Sequence, residues 1–218
     1  VQGCSERYIK DAKRVLVLWK RYESERQIKN LKVDDLKASY IKTFLIRANW
    51  SAKTQRTVKS TLSPLLNDYK PNLVGKVVLK KPTSTLHKPF NNIKEILDEV
   101  KLFNSNLYLC CLMTYGCLLR PHREIRELTW KDFSDDLSFI HLSGNRNKSG
   151  RNRIVPVPSY IRDILVKGER DNNIFSGKPQ PLNQDYFKTL WGRFKRQSNL
   201  LEQDQTLYSF RHSGAIEI

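Results

Sequence analysis

Ten residues, Lys80 to Pro89, do most to limit what this chain can fold into. They read Lys-Lys-Pro-Thr-Ser-Thr-Leu-His-Lys-Pro: basic, broken by two prolines and without an apolar period. That is the character of a linker and not of a helix or strand. The 218 residues exceed a typical domain of ~100–150, so two modest domains are expected, each with enough chain to bury a core. The patterning agrees, because it is all helical before the break and mixed after it. We therefore expect a domain over 1–80, a linker over 81–90 and a second domain over 91–218.

In the first part, Tyr8, Ala12, Val15, Leu16 and Trp19 fall at the spacing of an amphipathic helix. A second helix is expected to start at Val33-Asp34-Asp35, with acids at its positive end, and to run through Leu36, Tyr40, Phe44 and Ala48. A third opens at Ser51 as N-cap and has Val58, Leu62, Leu65, Leu66 and Tyr69 as its apolar set, with Lys53, Arg56 and Lys59 on another face; Pro64 is expected to kink or divide it.

Beyond the linker, Asn92–Phe103 and Asn106–Leu119 read as helices, the latter apolar almost all round and so a core helix. Strands are expected at Leu137–Leu142 and Arg153–Val157, a hairpin around the polar stretch Gly144 to Gly150. Helices follow at Tyr160–Val166, at about Gln184–Gln197 and from about Ser209. The fold class is mainly α with a small β-hairpin, α+β.

Charge points to the partner. Lys and Arg number 39 against 22 Asp and Glu, a formal net charge of +17, and residues 1–80 alone carry 18 basic and 7 acidic side chains. A polyanion is the expected partner, since an acidic small molecule does not call for so much charge. Hydrophobic residues at 39% exclude a disordered chain. No stretch approaches the ~18 apolar residues of a membrane span and no apolar signal segment opens the chain, so a soluble, cytoplasmic protein without membrane contact is expected. Cys4, Cys110, Cys111 and Cys117 form no C-x-x-C pair, and three lie in one apolar run, which reads as small buried hydrophobes in place of disulfides or zinc.

Three basic clusters carry the chemistry. Arg120 follows the core helix, precedes Pro121 and has Glu124 within reach to orient its fork, which suits a phosphate; the plainer reading is an ion pair at a helix end. Lys148 sits at the tip of the hairpin among Arg146, Arg151 and Arg153, cationic neighbours that lower the pKa of a proton-donating lysine; the plainer reading is a solubilising turn. Arg211 and His212 lie in the first turn of a helix that Ser209 is placed to cap, an anion site or else a capped helix with one buried histidine.

Taken in order, these blocks resemble the catalytic domain of the tyrosine recombinases, the phage-type integrase family. The resemblance rests on Arg120-Pro121, Glu124-Ile125, Leu128, Trp130, Asp132 and Phe133, then Lys148-Ser149-Gly150 with Val155-Pro156, then Phe210-Arg211-His212-Ser213. It implies a helical core-binding domain over 1–80 and a mixed α/β catalytic domain over 91–218. It implies a site-specific recombinase that cleaves and rejoins DNA through a 3′-phosphotyrosyl ester, with Arg120 and Arg211 on the non-bridging oxygens, Lys148 as acid, Tyr208 as hydrogen-bond donor, His212 in support and Glu124 orienting. No cofactor and no metal are implied. Double-stranded DNA is the partner, gripped also through Lys53, Thr54, Arg56 and Lys59; a homotetramer forms on DNA for the full-length protein, and a monomer is expected for this stretch.

Three departures accompany the resemblance. Arg120 precedes Glu124 by four residues where the family usually has three, Tyr208 stands where the family usually has histidine, and the family's nucleophilic tyrosine lies further downstream than Ile218. We therefore expect a fragment without the nucleophile, inactive as it stands. A non-catalytic DNA-binding relative is the alternative, and an RNA-binding module is disfavoured because neither an RNP-like aromatic motif nor a GXXG loop is present.

Overall fold

A computed structural model describes residues 4–28, 31–47, 49–83, 88–147 and 150–217. The chain forms two compact units, Val1–Thr85 and Leu86–Ile218.

The first unit is helical. Helix α1 spans Glu6–Glu25, opened by Ser5, whose Oγ accepts from the Tyr8 backbone N–H at 3.3 Å; it runs a turn and a half past the expected Trp19. The Val33-Asp34-Asp35 segment is a single 3₁₀ turn and does not begin the second helix, because Leu36 turns extended (ψ 122°) to bury its side chain; helix α2 is Ala38–Arg47. Helix α3, Ala52–Asn67, is capped by Ser51 as expected, its Oγ accepting from Thr54 N–H at 3.2 Å. Pro64 lies inside α3 without dividing it, since Leu62 and Leu66 pack into the core on either side and outweigh one lost backbone bond. Phe44 centres that core, with Trp19 at 5.0 Å and Tyr22 and Trp50 both at 5.5 Å, ring to ring.

The second unit pairs helices with one small sheet. Helices α4 (Ile93–Phe103) and α5 (Ser105–Gly116) meet at Asn104, whose side chain accepts from Leu107 N–H at 2.9 Å and so starts α5 earlier than the expected Asn106. Asn104→Ala should cost about 1 kcal/mol of stability in a thermal melt. Helix α5 stops at Gly116 and not at Leu119, because Leu118 takes a left-handed conformation (φ 52°) that turns the chain. Cys110, Cys111 and Cys117 are buried free thiols, while Cys4 is exposed.

Strands β1 (Phe139–Leu142) and β2 (Arg153–Pro156) are antiparallel with Ile140 opposite Val155 and Leu142 opposite Arg153, and Val157 N–H donates to the Ser138 carbonyl at 2.8 Å. Helix α6 is a single turn, Ser159–Arg162; the expected continuation to Val166 fails because Ile164 and Val166 face solvent and Leu165 is left as the stretch's one apolar contact with the core. Helix α7 spans Tyr186–Gln197 and α8 Ser209–Glu217. Phe210, fully buried on α8, stacks near Phe90 at 4.5 Å and Trp191 at 5.8 Å.

Of residues 81–90, expected as linker, 84–87 lie outside the described residues. Residues 88–90 belong to the second unit: Lys88 pairs with Glu202 at 2.9 Å, the Pro89 carbonyl accepts from Gln205 at 3.1 Å, and Phe90 N–H donates to Ser213 Oγ at 2.8 Å. Among the described residues, no helix is long and apolar enough to cross a membrane.

Candidate functional site

The chain leaves α5 through Leu118, buries Leu119 and sets Arg120 in extended conformation before a π-helical turn at Pro121–Ile125. In this turn Ile125 N–H donates to the Arg120 carbonyl at 3.1 Å, five residues back. Such a turn holds one residue more than an α-turn, and it spans the four-residue step from Arg120 to Glu124. Glu124 is thereby still brought back onto Arg120. Its side chain is 1% exposed; Oε2 accepts from the Arg120 backbone N–H at 2.9 Å and Oε1 from Arg120 Nη1. Arg123, the other arginine of the turn, points outward, 62% exposed, and lies 3.5 Å from Glu127.

The same Glu124 Oε2 accepts from Arg153 Nη2 at 3.2 Å. Arg211, in the first turn of α8, donates from Nε to the Leu118 carbonyl at 2.7 Å. Burial lowers the Arg211 pKa below the usual guanidinium value; Arg120 and Arg153 push the same way, and Glu124 and Tyr208 oppose them. Arg120, Arg153 and Arg211 thus share one neighbourhood around one buried carboxylate. Arg120 and Arg153 stay partly open to solvent, with 31% and 38% of their side chains exposed. Three forks against a single acid make a cradle with surplus positive charge, suited to a tetrahedral oxyanion.

The Tyr208 carbonyl opens α8, accepting from Arg211 N–H at 3.0 Å and His212 N–H at 3.3 Å, while its ring faces His122 at 5.9 Å. Ser209 is not the cap expected of it. Its buried Oγ accepts from Thr206 N–H at 3.0 Å, ahead of the helix. His212 is exposed, which removes the reading of one buried histidine.

Lys148 and Ser149 lie outside the described residues. The loop that carries them is rooted by Gly144 N–H on Asn152 Oδ1 at 2.9 Å and by the Asn147 amide on the Arg151 carbonyl at 2.6 Å. Arg146, expected as a cationic neighbour of Lys148, is bound bidentately by Asp132 at 2.5 and 2.8 Å, so its charge is compensated there. Arg153, expected to do no more than flank Lys148 in the same way, joins the Glu124 cluster. The strand alternation held the signal: with Val155 facing the core, Arg153 two residues earlier points the same way.

On α3, Lys53 and Thr54 are exposed, with Thr54 Oγ1 2.9 Å from Ser51 Oγ. Arg56 Nε donates to the Lys80 carbonyl at 3.2 Å and Lys59 Nζ to the Val77 carbonyl at 2.7 Å, so both also tie down the segment after α3. Among the described residues, no group of three or more His, Cys, Asp or Glu is placed to hold a metal.

No protein-family model matches the chain, and no curated protein matches it. Solved structures do. A lambda integrase dimer bound to a COC′ core site matches with a TM-score of 0.75 at 16% identity, over 98% of this chain and 65% of that one. The Tn1549 transposon integrase in complex with transposon right end DNA matches at 0.63 and 15% identity, over 99% and 82%. The XerH site-specific recombinase bound to palindromic difH substrate matches at 0.65 and 16%, over 95% and 67%. This chain spans just under two thirds of the first of these and has the mainly α fold, with its small sheet, that all three share.

Proposed function

We propose that this chain, built on the fold of those integrases, is the DNA-holding and phosphate-activating part of a tyrosine-type site-specific recombinase. The observation that carries the reading is the meeting of Arg120, Arg153 and Arg211 around the buried Glu124. A scissile phosphodiester seated there receives paired hydrogen bonds from Arg120 and Arg211 on its non-bridging oxygens, and these strengthen as charge builds in the phosphorane-like transition state. A tyrosine from sequence beyond Ile218 attacks phosphorus and forms the 3′-phosphotyrosyl ester. The 5′ oxygen leaves with a proton from Lys148, and Tyr208 donates a hydrogen bond to the phosphate. The reaction needs no cofactor and no metal. Glu124 fixes the Arg120 fork, and His212 supports the start of α8. In the first unit, Lys53, Thr54, Arg56 and Lys59 face the duplex. The proposed setting is cytoplasmic, monomeric for residues 1–218 and tetrameric on DNA for the full-length protein.

Support comes from the fold, from the net charge and from neighbours whose structures hold DNA. Mobility-shift titration of the 218-residue chain should show duplex binding that falls on the order of 10³-fold between roughly 50 and 200 mM salt. Arg211→Ala should weaken binding about tenfold and flatten the salt slope by about one unit. Affinity that ignores both salt and Arg211 would defeat the reading. Extended to its downstream tyrosine, the protein should form a covalent adduct with a nicked suicide duplex; retention without adduct identifies a non-catalytic DNA-binding relative instead.

A further inference from the structure

We propose that His122 is a positioning residue for Tyr208, its imidazole laid against the phenol ring so that Tyr208 is held beside Arg211; the role at the phosphate rests on the function proposed above. The two rings come from separate parts of the chain. His122 belongs to the π-turn after α5, and Tyr208 opens α8; their centroids lie 5.9 Å apart with planes tilted by 52°. That spacing and tilt fall within the range in which aromatic rings attract. The turn itself makes the contact: Pro121, Glu124 and Ile125 are buried and Arg123 faces solvent, so the remaining side chain, half-buried His122, is the one that meets Tyr208. The backbone of His122 is fixed as well, its carbonyl accepting from Arg126 Nε at 2.8 Å.

The ring's charge fits the role. Burial pulls the His122 pKa below the ordinary imidazole value; Asp185 opposes the shift, and Lys188 and Arg126 add to it. At pH 7 the imidazole is neutral. A neutral ring packs against a phenol that lies beside the Arg211 guanidinium without adding positive charge there, whereas an imidazolium would bring one more cation to a site that already faces Lys188 and Arg126.

The test uses the whole chain with ¹³C-labelled tyrosine, the Tyr208 ring resonance being assigned through Tyr208→Phe. On titration from about pH 8 to about pH 4.5, that resonance should follow a step with its midpoint below the ordinary histidine value, and His122→Phe should abolish the step. In parallel, His122→Ala should weaken duplex affinity by about three- to tenfold, and His122→Phe, which keeps an aromatic wall, should restore it to within about twofold. A Tyr208 resonance that does not respond to pH, a step that survives in His122→Phe, or an unchanged affinity in His122→Ala would each overturn the proposal. A wild-type chain that binds no duplex overturns the functional reading instead, and the resonance titration then decides the ring contact by itself.

Discussion

Glu124→Ala is expected to destabilise the second unit by about 3 kcal/mol, the lower end for removing one partner of a buried ion pair, since Arg120 and Arg153 still reach solvent. The loss has three parts. The Arg120 backbone N–H loses its acceptor, two guanidiniums lose their counter-charge, and Arg211 nearby is left facing uncompensated positive charge. Glu124→Gln keeps an acceptor oxygen in place and should cost about half as much. Thermal melts with and without sulfate provide the check. An anion seated among the three arginines replaces the missing carboxylate, so sulfate should raise the midpoint of Glu124→Ala more than that of wild type. Equal sulfate responses would show that the guanidiniums do not act as a group.

Gly214→Ala is expected to cost about 3 kcal/mol, an overpacking penalty beyond what the better helix propensity of alanine returns. Gly214 lies on the face of α8 that packs on α5, and a Cβ there would fall on the Tyr115 carbonyl oxygen, far inside van der Waals contact. Backbone cannot swing aside as a side chain does, so the two helices must part. Arg211 sits one turn away, anchored to the Leu118 carbonyl, and should move with α8. Duplex affinity should therefore fall together with stability, whereas Ala215→Gly, at an exposed position on the same helix, should cost about 1 kcal/mol and leave affinity unchanged. A Gly214→Ala protein with wild-type melting would mean that α5 and α8 are not in close contact.

The amino-acid sequence is most legible where side chains signal locally. The Ser51 cap needed only a serine ahead of an amphipathic run, and α7 ends at Gln197 as its pattern indicates, though it starts at Tyr186, two residues after the expected Gln184. The ends of α5 did not. Its stop depends on Leu118 adopting a conformation that leucine disfavours, imposed by packing and not by any turn residue. The pairing of Arg120 with Glu124 was legible from their spacing, but the two arginines flanking the hairpin loop looked equivalent. Arg146 meets Asp132 and Arg153 meets Glu124 only because the sheet register and the π-turn bring those carboxylates to opposite ends of the loop. His122 carried no signal of its own, since its partner lies far along the chain and its orientation follows from a turn type that no residue pattern announces.

The bond from Val157 to Ser138 also fixes which way β2 presents its backbone. Residues 153, 155 and 157 donate toward β1, so Ile154 and Pro156 face the open margin of the sheet. Proline has no N–H to offer there, which leaves Ile154 as the sole strand donor on a side where its exposed side chain would otherwise invite a foreign strand. One imino acid at that place leaves an incoming strand a hydrogen bond short, which disfavours edge-to-edge pairing in a crowded solution.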